Sequence, residues 1–185
     1  MAGNALTSSS SSRPFSPAVD ARSINLGLAA IAFISPQNHP ILVRAVSGSQ
    51  EDLLKYHYLA HTSLDVIDER IAAASKAPIE SYLGFLYALE DVAVYGYITP
   101  LKLKIVIILT LSDAVVRDAD VISIFKALHW AYYRAAANPL LKLHTPLDTP
   151  NDHILVVGSP EWVSFRKRVD EVARAAGALP VDSAS

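Results

Sequence analysis

The sequence predicts an α+β fold: an α/β/α sandwich on a single five-stranded antiparallel sheet. Three observations carry that prediction. Five short apolar runs alternate with Pro, Asn, Ser or acidic punctuation. The last three follow one another with gaps too short for helical crossovers, so neighbouring strands run antiparallel. Two long segments with three- and four-residue apolar spacing, and a strong helix start near the C-terminus, supply helices for both faces of the sheet. The element order is β-β-α-β-β-β-α-α, without internal repeats or parallel βαβ units.

"LGLAAIAFI", from Leu26 to Ile34, is nearly continuous in apolar residues, which suits a strand covered on both faces. "SPQNHP" breaks it, and "ILVRAV" from Ile41 to Val46 returns as the second arm of a hairpin. After "SGSQ" a helix carries "KYHYLAHTSLDVIDERI" and ends before Pro78. Then come "YLGFLYAL" from Tyr82, "VAVYGYI" from Val92 and "LKIVIILTL" from Leu103, separated by Glu90–Asp91 and Thr99–Pro100. The first strand and "KIVIIL" are the most continuously apolar, so they belong in the middle of the sheet.

Asp118 is placed to cap a helix from about Ala119 to Ala137, with Val121, Phe125, Leu128 and Tyr132 on its core face. Asn138–Pro139 stops it. "HILVV", within the irregular stretch that follows, reads as a short added strand. Ser159-Pro160-Glu161 combines a cap, a proline at the first helical position and an acid in the first turn. The helix it starts ends at Gly177.

Residues 1–23 are rich in serine and proline and read as a disordered tail; their Ser/Arg content also suits a transit peptide, but no amphipathic arginine-bearing helix accompanies it. Residues 24–178 form the domain, with 141–158 an atypical loop insertion and 179–185 a flexible end. Sixteen Lys and Arg against eighteen Asp and Glu leave a formal charge of −2, so no basic field draws nucleic acid. Cysteine is absent, which removes disulfides, thiolate nucleophiles and thiolate zinc sites from this chain. The apolar runs are shorter than the roughly 20 residues that cross a bilayer.

Motifs of nucleotide and hydrolase chemistry are missing: there is no phosphate-binding glycine loop, no G-x-S-x-G elbow and no H-E-x-x-H pair. One pattern does invite a chemical reading, because His57, His61, Asp65 and Glu69 recur every four residues. On a helix these four side chains rotate by about 120° and climb about 18 Å, so they do not converge on one ion. A two-residue site from His57/His61 or His61/Asp65 stays geometrically open, with further ligands still to be found.

Taking Leu53, Tyr56, Ala60, Leu64, Ile67 and Ile71 as the core face, His57 lies about 60° from its centre, His61 about 100°, Asp65 about 140° and Glu69 opposite. The stripe then walks from the core edge into solvent. Leu54 and Tyr58 project beside Asp65, and Leu59 and Val66 make a second apolar strip on the other flank. A helix apolar beyond its core face is usually covered, by a partner or by the C-terminal part of the same chain. The second long helix repeats the pattern with Ile122, His129, Trp130 and Tyr133. Arg166, Lys167, Arg168 and Arg174 make the last helix basic, but interleaved acids favour a solvated face over a membrane or phosphate contact.

Three stretches then carry a resemblance: "KYHYLAHTSLDVIDERI", "YLGFLYALEDVAVYGYITPLKLKIVIIL" and "RDADVISIFKALHWAYY". From about Leu26 to Pro139 the chain resembles the sedlin-like small subunits of the TRAPP tethering complex, most closely their subunit 2-like branch. The most specific element is "HxxLDxxDE", formed by His61, Leu64, Asp65, Asp68 and Glu69. The family's "NPFY" reads Asn138-Pro139-Leu140-Leu141 here, and residues 141–158 depart from its pattern.

The resemblance implies the longin (SNARE-like) fold, with one helix on one face of the sheet and two on the other. It implies a non-catalytic interaction subunit with no cofactor or metal, in an assembly that acts as an exchange factor for Rab-type GTPases and tethers vesicles. Its partners would be other TRAPP subunits through the long helices, a Rab GTPase only through the assembled complex, and membrane peripherally. Its place would be cytoplasmic, at Golgi and ER–Golgi membranes. Leu54, Tyr58, His61, Asp65, Glu69, His129 and Tyr133 become contact candidates, Asp65 foremost. Two alternatives stand beside it. One is a longin subunit of a vesicle coat or SNARE system; the lack of a heptad region disfavours the SNARE, and the "HTSLDVIDE" spelling disfavours the coat. The other is a metal-dependent enzyme using His57, His61 and Asp65.

Overall fold

The computed structural model of the protein describes residues 26–46, 50–73, 81–111, 115–138 and 162–177. In chain order they form β1 (Leu28–Ile34), β2 (Pro40–Ala45), α1 (Gln50–Ala73), β3 (Tyr82–Leu89), β4 (Val92–Ile98), β5 (Lys104–Thr110), α2 (Asp118–Ala136) and α3 (Val163–Ala175). The strands make one antiparallel sheet in the order β2-β1-β5-β4-β3. As expected, the two most apolar strands lie inside it: all of β1 is buried, and β5 is buried from Lys104 to Leu109. The element order and fold class agree with those read from the sequence. The expected strand "HILVV" and the start at Ser159-Pro160-Glu161 lie outside the described residues, as do the 1–23 tail, the 141–158 insertion and 179–185.

A strand apolar on both faces still sorts its side chains by the two-residue alternation of the pleat. Ile31 and Phe33 of β1, with Ile105, Ile107 and Leu109 of β5, enter the core layer shared with α2 and α3. Ala30, Ala32 and Ile34, with Val106 and Ile108, enter the layer shared with α1. The sheet therefore has one helix on one face and two on the other.

Aromatic contacts fix the two-helix layer. Phe33 meets Phe165 of α3 edge-on at 5.1 Å and Tyr132 of α2 in a stack at 6.1 Å, and Tyr97 stacks on Phe125 at 5.3 Å. Arg44 of β2 makes a forked ion pair with Asp170 of α3, donating from Nε at 2.8 Å and Nη2 at 3.1 Å. The α3 C-terminus is then closed as the sequence suggests, with Gly177 at φ 82 donating its N–H to the Arg174 carbonyl.

The N-terminus of α2 differs from expectation. The cap position is Arg117, and Asp118 is the first helical residue, with no side-chain cap hydrogen bond. Asp118 instead accepts the Tyr82 hydroxyl proton at 2.8 Å, while Arg117 Nε donates to Asp120 at 2.8 Å. Tyr82 competes successfully for the carboxylate, and its own ionisation is pushed up by burial and by that bond.

Candidate functional site: the outer faces of the long helices

The α1 side chains buried against the sheet are Tyr56, Leu59, Ala60, Ser63, Leu64 and Ile67. Leu59 is fully buried, so the expected second apolar strip on that flank belongs to the core itself, with Val66 packed against it. One bond to the sheet and one within the helix accompany this rotation. The Tyr87 hydroxyl of β3 donates to the Leu59 carbonyl at 2.8 Å, and the buried Ser63 hydroxyl bonds back to the Ala60 carbonyl at 2.7 Å. Burial, with a smaller contribution from Tyr58, pushes the Tyr87 phenol up to about 12.

This rotation corrects the placement of the polar stripe. With a buried face centred near Tyr56 and Ser63, Asp65 lies about 180° away, His61 and Glu69 about 140°, and His57 about 100°. The stripe straddles the outermost line of α1, with Asp65 at its apex. His57, His61, Asp65 and Glu69 are all exposed. Leu54 and Tyr58, on the same line, are 75% and 64% exposed. The described part of the C-terminal extension, α3, packs on the opposite side of the sheet and does not cover them.

The recognised "HxxLDxxDE" pattern divides by depth. Leu64 is core, and Asp68 turns inward along the helix flank to a lysine that the sheet buries. Lys104 Nζ donates to Asp68 Oδ1 and Asn38 Oδ1, each at 2.6 Å, inside the apolar strand "KIVIILT". His61, Asp65 and Glu69 face out. Among the described residues neither Asp65 nor Glu69 is in an ion pair. The α1 outer face therefore presents Leu54 and Tyr58 beside two carboxylates that pair with no described cation.

Neighbouring contacts tie that helix to the strands. Lys55 bonds Glu90 at 2.7 Å and Asp91 at 3.3 Å in the β3–β4 turn; the Glu90 bond is the main reason the Lys55 amine sits above its ordinary pKa. Arg70 donates to the carbonyls of Leu83 and Phe85 on the edge strand β3, covering groups that would otherwise invite another strand. Between α1 and β2 lies a groove of about 180 Å³ lined by Ile34, Val43, His57, His61 and Leu64 among others.

The remaining candidates lie elsewhere. His129 and Tyr133 are on α2, across the sheet from the α1 stripe. His129 is half-buried, with its ring 5.9 Å from that of Tyr97, and burial lowers its pKa. Tyr133 is 52% exposed and stacks on Trp130, itself 58% exposed, at 5.7 Å. The seven candidates thus make two outer faces on opposite sides of the molecule.

No three His, Cys, Asp or Glu side chains gather in metal-binding fashion among the described residues. Among them, too, no helix is long and apolar enough to cross a membrane. Sequence reasoning missed the Asn38–Asp68–Lys104 cluster. Its signal was a lysine inside an otherwise apolar central strand, which requires a buried acceptor.

The family model described as Sedlin matches residues 33–153. Three similar proteins carry the name trafficking protein particle complex subunit 2-like protein. That of Bos taurus is 43% identical over 112 residues, covering 59% of this chain and 79% of that protein. That of Xenopus tropicalis is 41% identical over 122 residues, and that of Dictyostelium discoideum 35% over 122; each alignment covers 64% of this chain and 86% of the relative.

Proposed function

This chain belongs to the sedlin family, and from that membership we propose that it is a non-catalytic subunit of a TRAPP-type tethering complex. The complex would act as a Rab guanine-nucleotide exchange factor in ER–Golgi and Golgi trafficking. The names of the subunit 2-like relatives support the assembly assignment. In this reading the chain contributes surface, not chemistry. It is cytoplasmic, meets membrane and Rab GTPase only through the assembled complex, and needs no cofactor.

The observation that carries the reading is the outer face of α1. Exposed Leu54 and Tyr58 stand beside Asp65 and Glu69, on a helix anchored at Lys55, Arg70 and Asp68. A helix tied to the sheet that exposes apolar side chains beside carboxylates suits docking to another subunit. His61 extends this face, and His129 and Tyr133 would form a second contact on α2.

Asp65→Tyr is the test. Because Asp65 is exposed and, among the described residues, in no ion pair, the variant should keep its far-UV circular dichroism yet lose co-purification with other tethering subunits at native expression. Undiminished co-purification would remove Asp65 from the contact set.

A further inference from the structure

A cavity of about 440 Å³ opens at the end of the sheet where α1 finishes, lined by Pro36, Ile71, Ser81, Ile98, Thr99 and Lys102 among others. It is separate from both outer helix faces described above. Lys104 and Asp68 stand in its wall and neutralise one another. Lys102 is exposed and, among the described residues, in no ion pair, so the described lining carries one unpaired cation.

The backbone sharpens the role of Lys102. Pro100, Leu101 and Lys102 form the β4–β5 turn, closed by Lys102 N–H to the Thr99 carbonyl at 2.8 Å and Thr99 N–H to the Leu103 carbonyl at 2.9 Å. Lys102 has φ 61, the left-handed position that such three-residue hairpin loops usually give to glycine. A lysine there keeps a side chain against an unfavourable backbone conformation, a combination typical of functional positions. Beside it the Thr99 hydroxyl oxygen accepts from Leu103 N–H at 3.0 Å, which leaves its proton to donate.

We infer that this cavity binds an aliphatic carboxylate. The hydrocarbon lies against Pro36, Ile71 and Ile98, and the carboxylate meets Lys102 with the Thr99 and Ser81 hydroxyls as donors. The one unpaired cation of the described lining suits a carboxylate, and the apolar walls suit an attached chain rather than a free ion. Fatty acids and the C-termini of protein chains both carry this chemistry.

The test is a heteronuclear NMR titration of the full chain with four probes: octanoate, octanol, an acetylated tripeptide ending in leucine with a free carboxylate, and its amide. Octanoate should shift the amide signals of Ile71, Ser81, Thr99 and Lys102. Lys102→Gly, which relieves the left-handed strain, should raise the melting temperature while weakening octanoate about tenfold, the loss of one charge-assisted contact. Binding of the peptide acid but not the amide assigns a chain terminus as a source; binding of octanoate alone assigns a fatty acid. The inference is overturned if neither carboxylate shifts these signals at several millimolar, if octanol binds as tightly as octanoate, or if Lys102→Gly leaves the affinity unchanged.

Discussion

Asp68→Ala tests whether a residue of the family pattern acts inside the fold. The Lys104 side chain is 6% exposed, and its ammonium has two acceptors at 2.6 Å, the Asp68 carboxylate and the Asn38 amide oxygen. Truncating Asp68 leaves that cation with one neutral acceptor in the wall of an apolar layer. Removing one partner of a fully buried pair costs about 3–5 kcal/mol. Asp68 is 51% exposed, so water enters its place and the cost falls to about 2–3 kcal/mol. For a chain of this size that lowers the melting temperature by about 5–10 °C. Lys104→Met removes the need for the acceptor, so Asp68→Ala/Lys104→Met should recover about 2 kcal/mol, the coupling between the two sites. Urea unfolding followed by circular dichroism measures all four members of the cycle. An Asp68→Ala protein within about 0.5 kcal/mol of the unsubstituted chain, the usual scatter for surface substitutions, would refute the argument, as would a double variant no more stable than Asp68→Ala.

Gly27→Ala should destabilise the start of β1 by about 2 kcal/mol or more, because Gly27 has φ 60 and an added Cβ would lie 2.3 Å from Thr110 Oγ1; thermal unfolding reads the effect, and an unchanged transition would contradict it. His129 introduces a pH dependence: burial depresses its folded pKa below the unfolded value near 6.5, so the unfolded chain binds the extra proton. Stability should hold above about pH 6.5 and decline as the pH falls from there through the depressed folded pKa. His129→Gln should flatten that decline in unfolding curves taken at several pH values, and an unaltered profile would exclude His129 as its source.

Much of the architecture was legible before any coordinates. Punctuation by Pro36 and Asn38, Glu90–Asp91, and Pro100 marked the three turns between neighbouring strands, and the unbroken apolar character of β1 and β5 placed them inside the sheet. The exposure of Leu54, Tyr58 and Asp65 was legible too, because helical periodicity is a local property. The rotation of α1 was less so. A wheel centred on Leu53, Tyr56, Ala60, Leu64, Ile67 and Ile71 put the core face about 40° from its actual centre, because Leu59 and Ser63 are buried against the sheet, where Tyr87, 28 positions further on, bonds the Leu59 carbonyl. Asp118 was misassigned for the same reason: a hydrogen bond from Tyr82, 36 residues earlier, outweighs local capping.

The sequence by itself determined the strands, the three helices, their order and the absence of recognisable catalytic motifs, since each follows from spacing along the chain. Tertiary structure decided what Asp68 of the "HxxLDxxDE" pattern does. Periodicity already sends Leu64 to the core and Asp65 to water, whereas Asp68 neutralises a lysine 36 residues away. The physical reason is that charge compensation depends on distance through space. Asp65 at the apex and Asp68 on the flank are the same residue type three positions apart, and only the second has a cation of the sheet within reach.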